Sequence, residues 1–238
     1  MSDQKYLPVK TKVANWAIWR SLFATTEGRV LLAGIMLSVT GLLIMAFTAL
    51  WSPQDARMMG AMAFTNIAFG RAVSMSIGYA AGYGHALVVP VNIVVETILV
   101  LLFYPLFVFS LKKLVVFPAL KNLFDRAHQA AVQHKDKVRK YGIIGLFTFV
   151  WFPFWMTGPV IGCAIGYLLE LPIWLNLLVV LTGTYIAMAA WGYVLFSIQS
   201  QAAGLGSWAP ILIVGIILAI VVVGYFLNRQ RGGDKNND

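Results

Sequence analysis

FGRAVSMSIGYAAGYGHALVVPVNIVVE, residues 69–96, sets an arginine (Arg71) and a glutamate (Glu96) inside sequence that otherwise reads as lipid-soluble. An ionisable group at membrane depth costs about 2.5–3.5 kcal/mol on insertion scales, so such groups face a protein interior or a wet cavity, often beside an opposite charge. The same stretch holds Gly70, Gly78, Gly82, Gly84 and Pro90. That set suits a broken or re-entrant segment better than a smooth span. These residues are the first candidates for a site.

Composition gives this reading its setting. Of 238 residues, 60% are hydrophobic and only 11% are charged, more apolar surface than a soluble domain of this size can hide. The long continuous apolar runs refuse a barrel, which needs alternating strands of about ten residues. The class is an all-α polytopic membrane protein. One cysteine, Cys163, excludes an internal disulfide and reads as packing. His85, His128 and His134 are scattered, so neither a metal site nor another cofactor is expected. A Walker loop, a nucleophile elbow and HExxH are all missing. No enzyme is expected, and ATP-driven export is disfavoured.

Working outward, residues 29–51, 86–111, 173–197 and 209–227 read as four full transmembrane helices, each long enough for a hydrocarbon core of about 30 Å. Pro90 and Pro105 should bend the second. SIQSQAAGLGS (197–207) reads as an uncharged loop. Two apolar segments are interrupted. One covers 52–84. The other covers 141–169, broken at Pro153, Gly158-Pro159 and Gly162.

The formal charge of +9 is gathered beside the spans rather than spread as on a nucleic-acid binder. Basic residues cluster in an N-terminal arm (1–28), in the 112–140 loop and in the tail (229–238), flanking a transmembrane domain at 29–228. The loop alone carries eight basic residues against Asp125 and Asp136. The positive-inside rule puts all three stretches in the cytoplasm. They fall on one side if 57–84 re-enters from outside and 142–169 re-enters from inside. The expected architecture is then four full transmembrane helices plus two opposed re-entrant helical hairpins, an inverted repeat of the kind that places a site near the midplane.

At these residues the chain resembles the small multidrug export protein family, a relative of the DedA/VTT membrane proteins, over roughly residues 60–196. That family's first hairpin reads Glu-Leu-Arg-Gly-Ala-Ile-Pro. Here Phe69-Gly70-Arg71-Ala72-Val73-Ser74-Met75 keeps the arginine but lacks the acid and the proline. The second hairpin of the family reads Pro-x-Pro-Gly-Thr-Gly before a further glycine. Here it is Pro153-Phe154-Trp155-Met156-Thr157-Gly158, followed by Gly162 and Glu170-Leu171-Pro172. The family name implies export of small hydrophobic compounds. The DedA relation implies lipid-carrier translocation across the inner membrane, often proton-coupled.

The candidate site residues are Arg71, Glu96, Pro153, Thr157, Gly158 and Gly162. Arg71 reads as an anchor for a phosphate-like headgroup, or as a structural tie to Glu96 or to hairpin carbonyls. Glu96 reads as a proton-relay carboxylate or as a buried hydrogen-bonded partner. Pro153, Thr157, Gly158 and Gly162, with Pro159, read as the second hairpin's tip, exposing a half-helix N-terminus suited to an anion, or as a kink in a plain span. Asn66, Asn92 and Asn176 read as helix glue, and His85 as interfacial. The first functional reading is an inner-membrane transporter of a small amphipathic or anionic lipid-like substrate. The alternative is a non-transport scaffold or assembly factor with a degenerate site, and an intracellular compartment derived from that membrane stays open. The expected partners are the lipid bilayer and a lipid-like or hydrophobic small molecule, not nucleic acid. The sequence leaves open whether copies of the chain form a homo-oligomer.

Overall fold

A computed structural model describes residues 25–111, 142–151, 157–204, 211–217, 219–220 and 223. Most of the expected N-terminal arm, the 112–140 loop, the tail and Pro153 lie outside those residues. Among the described residues every regular element is a helix.

Helix α1 (Thr26–Trp51) starts at Thr25, whose side chain accepts a hydrogen bond from the Gly28 N–H at 3.1 Å and so satisfies one of the orphan donors of the first turn. The break at Ser52 passes directly into α2 (Pro53–Phe69), with proline at the first helical position, where no N–H is needed. Gly70 then divides α2 from α3 (Arg71–Ala80) with φ 88° and ψ 171°, a combination essentially reserved for glycine. A turn through Gly82 (φ 86°) leads into α4 (His85–Leu111). Beyond it come α5 (Gly142–Trp151), α6 (Thr157–Leu168) and α7 (Ile173–Ala203).

Among the described residues three helices are long and apolar enough to cross a membrane: Thr26–Trp51, His85–Ser110 and Ile173–Ala202. The expected fourth span is described only in part, with residues 211–217 helical. On α1 the large residues Leu42, Leu43, Phe47, Leu50 and Trp51 are all exposed, which is tenable where the solvent is lipid.

The three long helices pack side by side in alternating directions. Gly34 of α1 faces Leu101 and Leu102 of α4, while Gly41 faces Ile98 and Val94, so α1 and α4 are antiparallel. Helix α7 opposes α4 in the same way. His85 packs against Phe196, Thr97 meets Tyr185, and Tyr104 shares a cluster with Leu177. One end of the bundle therefore holds Thr26, Leu111 and Ile173. The other holds Trp51, His85 and Ala203. Small residues let the backbones approach closely, as is usual where lipid removes the hydrophobic drive between helices.

The shorter helices form two folded pairs laid along α4 and α7. In the first, the Ser74 hydroxyl donates to the Met62 carbonyl at 2.8 Å, and a Cβ added at Gly78 would meet Met62 Sδ at 2.7 Å. A straight helix would separate residues 62 and 78 by about 24 Å, so the chain doubles back at Gly70. In the second, a Cβ at Gly162 would stand 2.7 Å from Val150 Cγ2, so α6 returns along α5. The first pair packs on the His85 half of α4, around Met62, Met75, Tyr79, Val88 and Leu195. The second packs on the Leu111 half, around Val100, Phe107, Leu146, Val150, Ile165 and Val180.

Three expectations change in detail. Residues 197–203 continue α7 rather than forming a loop. The Ser197 hydroxyl donates to the Tyr193 carbonyl and Ser200 to the Ser197 carbonyl, so the polar run is absorbed by the helix. Pro90 lies inside α4, which stays helical through it, rather than in a broken segment. Gly158, Pro159 and Gly162 lie inside α6 rather than at a break, because proline is tolerated in a first turn and Gly162 supplies room for Val150.

Gly70→Ala is expected to lower the thermal stability of the detergent-solubilised protein by about 1–3 kcal/mol through backbone strain. Gly41→Ala, whose Cβ would make only ordinary contacts at 3.8 and 4.0 Å, is expected to be near neutral. Paired melting curves of the two variants check this.

Candidate functional site at mid-bundle

Gly70 places Arg71 as the first residue of α3, at the inner end of the first folded pair, where it is only 3% exposed. Its Nη2 donates to the carbonyl oxygens of Val150 (2.9 Å) and Trp151 (3.3 Å), the last described residues of α5. A carbonyl oxygen carries partial negative charge and has two lone pairs to offer donors. A guanidinium is therefore a fitting neighbour, and the bonds join the inner ends of the two folded pairs.

Glu96 sits near the middle of α4, 5% exposed, and feels the Arg71 charge. The two ionisable groups read from the sequence are thus brought together. Beside them the Thr97 hydroxyl donates to the Ile93 carbonyl at 2.6 Å. Its single proton is then committed, so the Tyr185 hydroxyl donates to Thr97 Oγ1 at 2.7 Å and links α4 to α7 at this level. Neither Thr97 nor Tyr185 was anticipated. Thr97 could have been found as a polar neighbour of Glu96 in an apolar run, whereas nothing in the sequence around Tyr185 distinguishes it.

The remaining candidates divide. Thr157 begins α6 and Gly158 is buried in its first turn. Pro153 lies outside the described residues. Gly162 belongs to the arm of the pair, packed on Val150, rather than to its inner end. Asn66 Nδ2 donates to Asn92 Oδ1 at 2.7 Å, Asn92 Nδ2 to the Val88 carbonyl, and Asn176 Nδ2 to the Cys163 carbonyl, the last two at 2.8 Å. All three amides join helices or brace one. His85 opens α4, exposed, with its Nδ1 2.9 Å from the Tyr79 hydroxyl. A cleft of about 510 Å³ opens at the Ile173 end beside Glu27, Tyr104, Tyr167 and Glu170, and Arg71 and Glu96 do not line it. No His, Cys, Asp and Glu cluster among the described residues could hold a metal.

Long apolar helices, two folded pairs and buried charge at their meeting point define a multi-pass helical membrane protein. The family model described as "Putative small multi-drug export protein" matches residues 71–189, half of the 238-residue chain. The chain belongs to this family, one of export proteins rather than enzymes. No curated protein and no solved structure matches the chain.

Arg71→Met would leave Glu96 buried without its countercharge, a change expected to cost about 3–5 kcal/mol. Adding Glu96→Leu removes the stranded carboxylate, so the double variant is expected to be more stable than Arg71→Met alone. A double-mutant cycle of unfolding in detergent measures the coupling.

Proposed function

We propose that this chain is a membrane transporter of a small amphipathic or anionic, lipid-like substrate, bound at mid-depth between two re-entrant hairpins. The folded pairs α2–α3 and α5–α6 would be those hairpins, dipping from opposite faces, while α1, α4, α7 and the segment around 211–217 cross fully. The observation that carries this reading is the reach of Arg71 from the Gly70 break to the α5 carbonyls, with Glu96 beside it. Support also comes from α3, whose N-terminal dipole end lies at the same point and favours an anion. Arg71 would hold a phosphate or carboxylate headgroup, with the opening turn of α6, Thr157 and Gly158, beside it. Glu96 would exchange a proton as substrate enters and leaves. The relation to DedA/VTT proteins implied by the sequence fits a lipid-like cargo.

Orientation follows from charge. Thr26 and Leu111 share one end of the bundle, so the basic arm and the basic 112–140 loop leave from that end. The positive-inside rule makes it cytoplasmic, and a bacterial or archaeal inner membrane is the fitting location.

One observation favours a second reading, that of a scaffold. The two Arg71 hydrogen bonds named above end on backbone carbonyls, which suits a structural tie.

Transbilayer movement of a fluorescently tagged single-chain phospho-amphiphile, read by dithionite quenching in proteoliposomes, separates the two. Transport predicts movement faster than in empty vesicles, lost in Arg71→Ala and made insensitive to a pH gradient in Glu96→Gln. Wild-type protein that moves the probe no faster than empty vesicles, or a folded Arg71→Ala that moves it normally, would overturn the transport reading.

A further inference from the structure

The two halves of the bundle are not equivalent around Glu96. Toward the His85 end, α4 presents Glu96, Asn92 and His85 at spacings of four and seven residues, about 6 and 10.5 Å of helix, all on the face covered by the first folded pair. Each meets a polar or charged group of that pair. Glu96 feels Arg71, Asn92 accepts from Asn66, and His85 meets the Tyr79 hydroxyl. Asp55 and Tyr83, joined at 2.9 Å, stand at the same end. Ser74 and Ser76 add hydroxyls from α3, both fully buried. In this half Asn66 Oδ1, Ser76 Oγ and, from α7, Gln199 Nε2 and Oε1 are buried without a hydrogen-bond partner, a cost of about 1–3 kcal/mol apiece unless water reaches them.

Toward the Leu111 end the same face of α4 continues as Leu99, Val100 and Phe103. It meets a layer of Leu146, Val150, Ile161, Ile165 and Val180. The buried amide of that half, Asn176, lies beyond this layer, its Nδ2 bonded to the Cys163 carbonyl and its Oδ1 unpartnered and pressed against Gly166.

We infer that Asn66, Asn92, Ser76, Tyr79 and His85 form a one-sided hydration file that carries water and protons between Glu96 and the His85 end, while the apolar layer closes the Leu111 end. The charged group that bears on Glu96 is Arg71 from α3, and the Thr97–Tyr185 bond lies one residue along α4. Val88, packed on Gly78 and Met62, is the apolar step in the file. This inference rests on the transporter reading for the use made of the proton, although the path itself does not require a substrate.

Silver ions, small and fully water-borne, test the path in the full-length chain. Single cysteines are placed in a Cys163→Ala background at Asn92→Cys, at Ser76→Cys (which alters little more than one atom) and at Val100→Cys. Vesicles are exposed to silver on one face, and free thiols are then counted with a maleimide after denaturation. The expected result is loss of labelling at 92 and 76 with silver on the face away from the 112–140 loop, and full labelling at 100 from either face. Full labelling at both 76 and 92, loss from the loop face, or equal loss at 100 would overturn the file. A file that fails while Glu96→Gln still abolishes the pH response of transport leaves the site reading intact. A silver-accessible file in a protein that moves no probe does the reverse.

Discussion

The bundle depends on one guanidinium buried near the middle of the protein. Arg71 stays charged at any physiological pH, and lipid offers it nothing. It can exist there only if the protein surrounds it, and the surroundings come from distant parts of the chain: the Gly70 break that aims it inward, the carbonyls of Val150 and Trp151, and Glu96 on α4. The carbonyl bonds hold the inner end of α5 against the inner end of the first pair. Glu96 lies within the field of Arg71, on the side of α4 that meets the first pair.

Packing then supplies what one ionic centre cannot. In lipid the gain from bringing helices together is close contact, not water release. Glycine therefore recurs where the helices touch: Gly34 against Leu101, Gly78 against Val88, Gly162 against Val150, and Gly192 against Met75 and Tyr79. Gly78 and Gly162 play matching parts in their pairs, each sitting on the returning arm and meeting both the outgoing arm and the following long helix. The two halves thus repeat one packing scheme while differing in polarity, hydroxyl- and amide-rich on one side and mainly aliphatic and aromatic on the other.

The sequence made the class and the burial of Arg71 and Glu96 legible because both rest on costs that composition exposes. A buried Arg71 and Glu96 in apolar surroundings had to meet protein, and Gly70 beside Arg71 marked the break. Finer readings failed where one residue type serves two purposes. Gly162 and Gly158-Pro159 read as breakers, yet they sit inside α6, because a glycine that opens a turn and one that admits a neighbouring valine look alike without the neighbour in view. Pro90 is similarly ambiguous, since α4 runs through it and leaves it exposed, and SIQSQAA reads as loop only until its serines bond back to their own helix. Tyr185 was illegible for another reason. Its role comes from lying opposite Thr97, a long-range pairing that no local pattern encodes.

Depth and proximity at the meeting point test the account most directly. Spin labels at Ala72→Cys and Trp151→Cys in a Cys163→Ala background report both, through oxygen and nickel-chelate relaxation and through their dipolar distance in bilayers. The account predicts that both labels lie deep in the bilayer and close to each other. A label at headgroup depth, or a pair separated by the full thickness of the membrane, would contradict it.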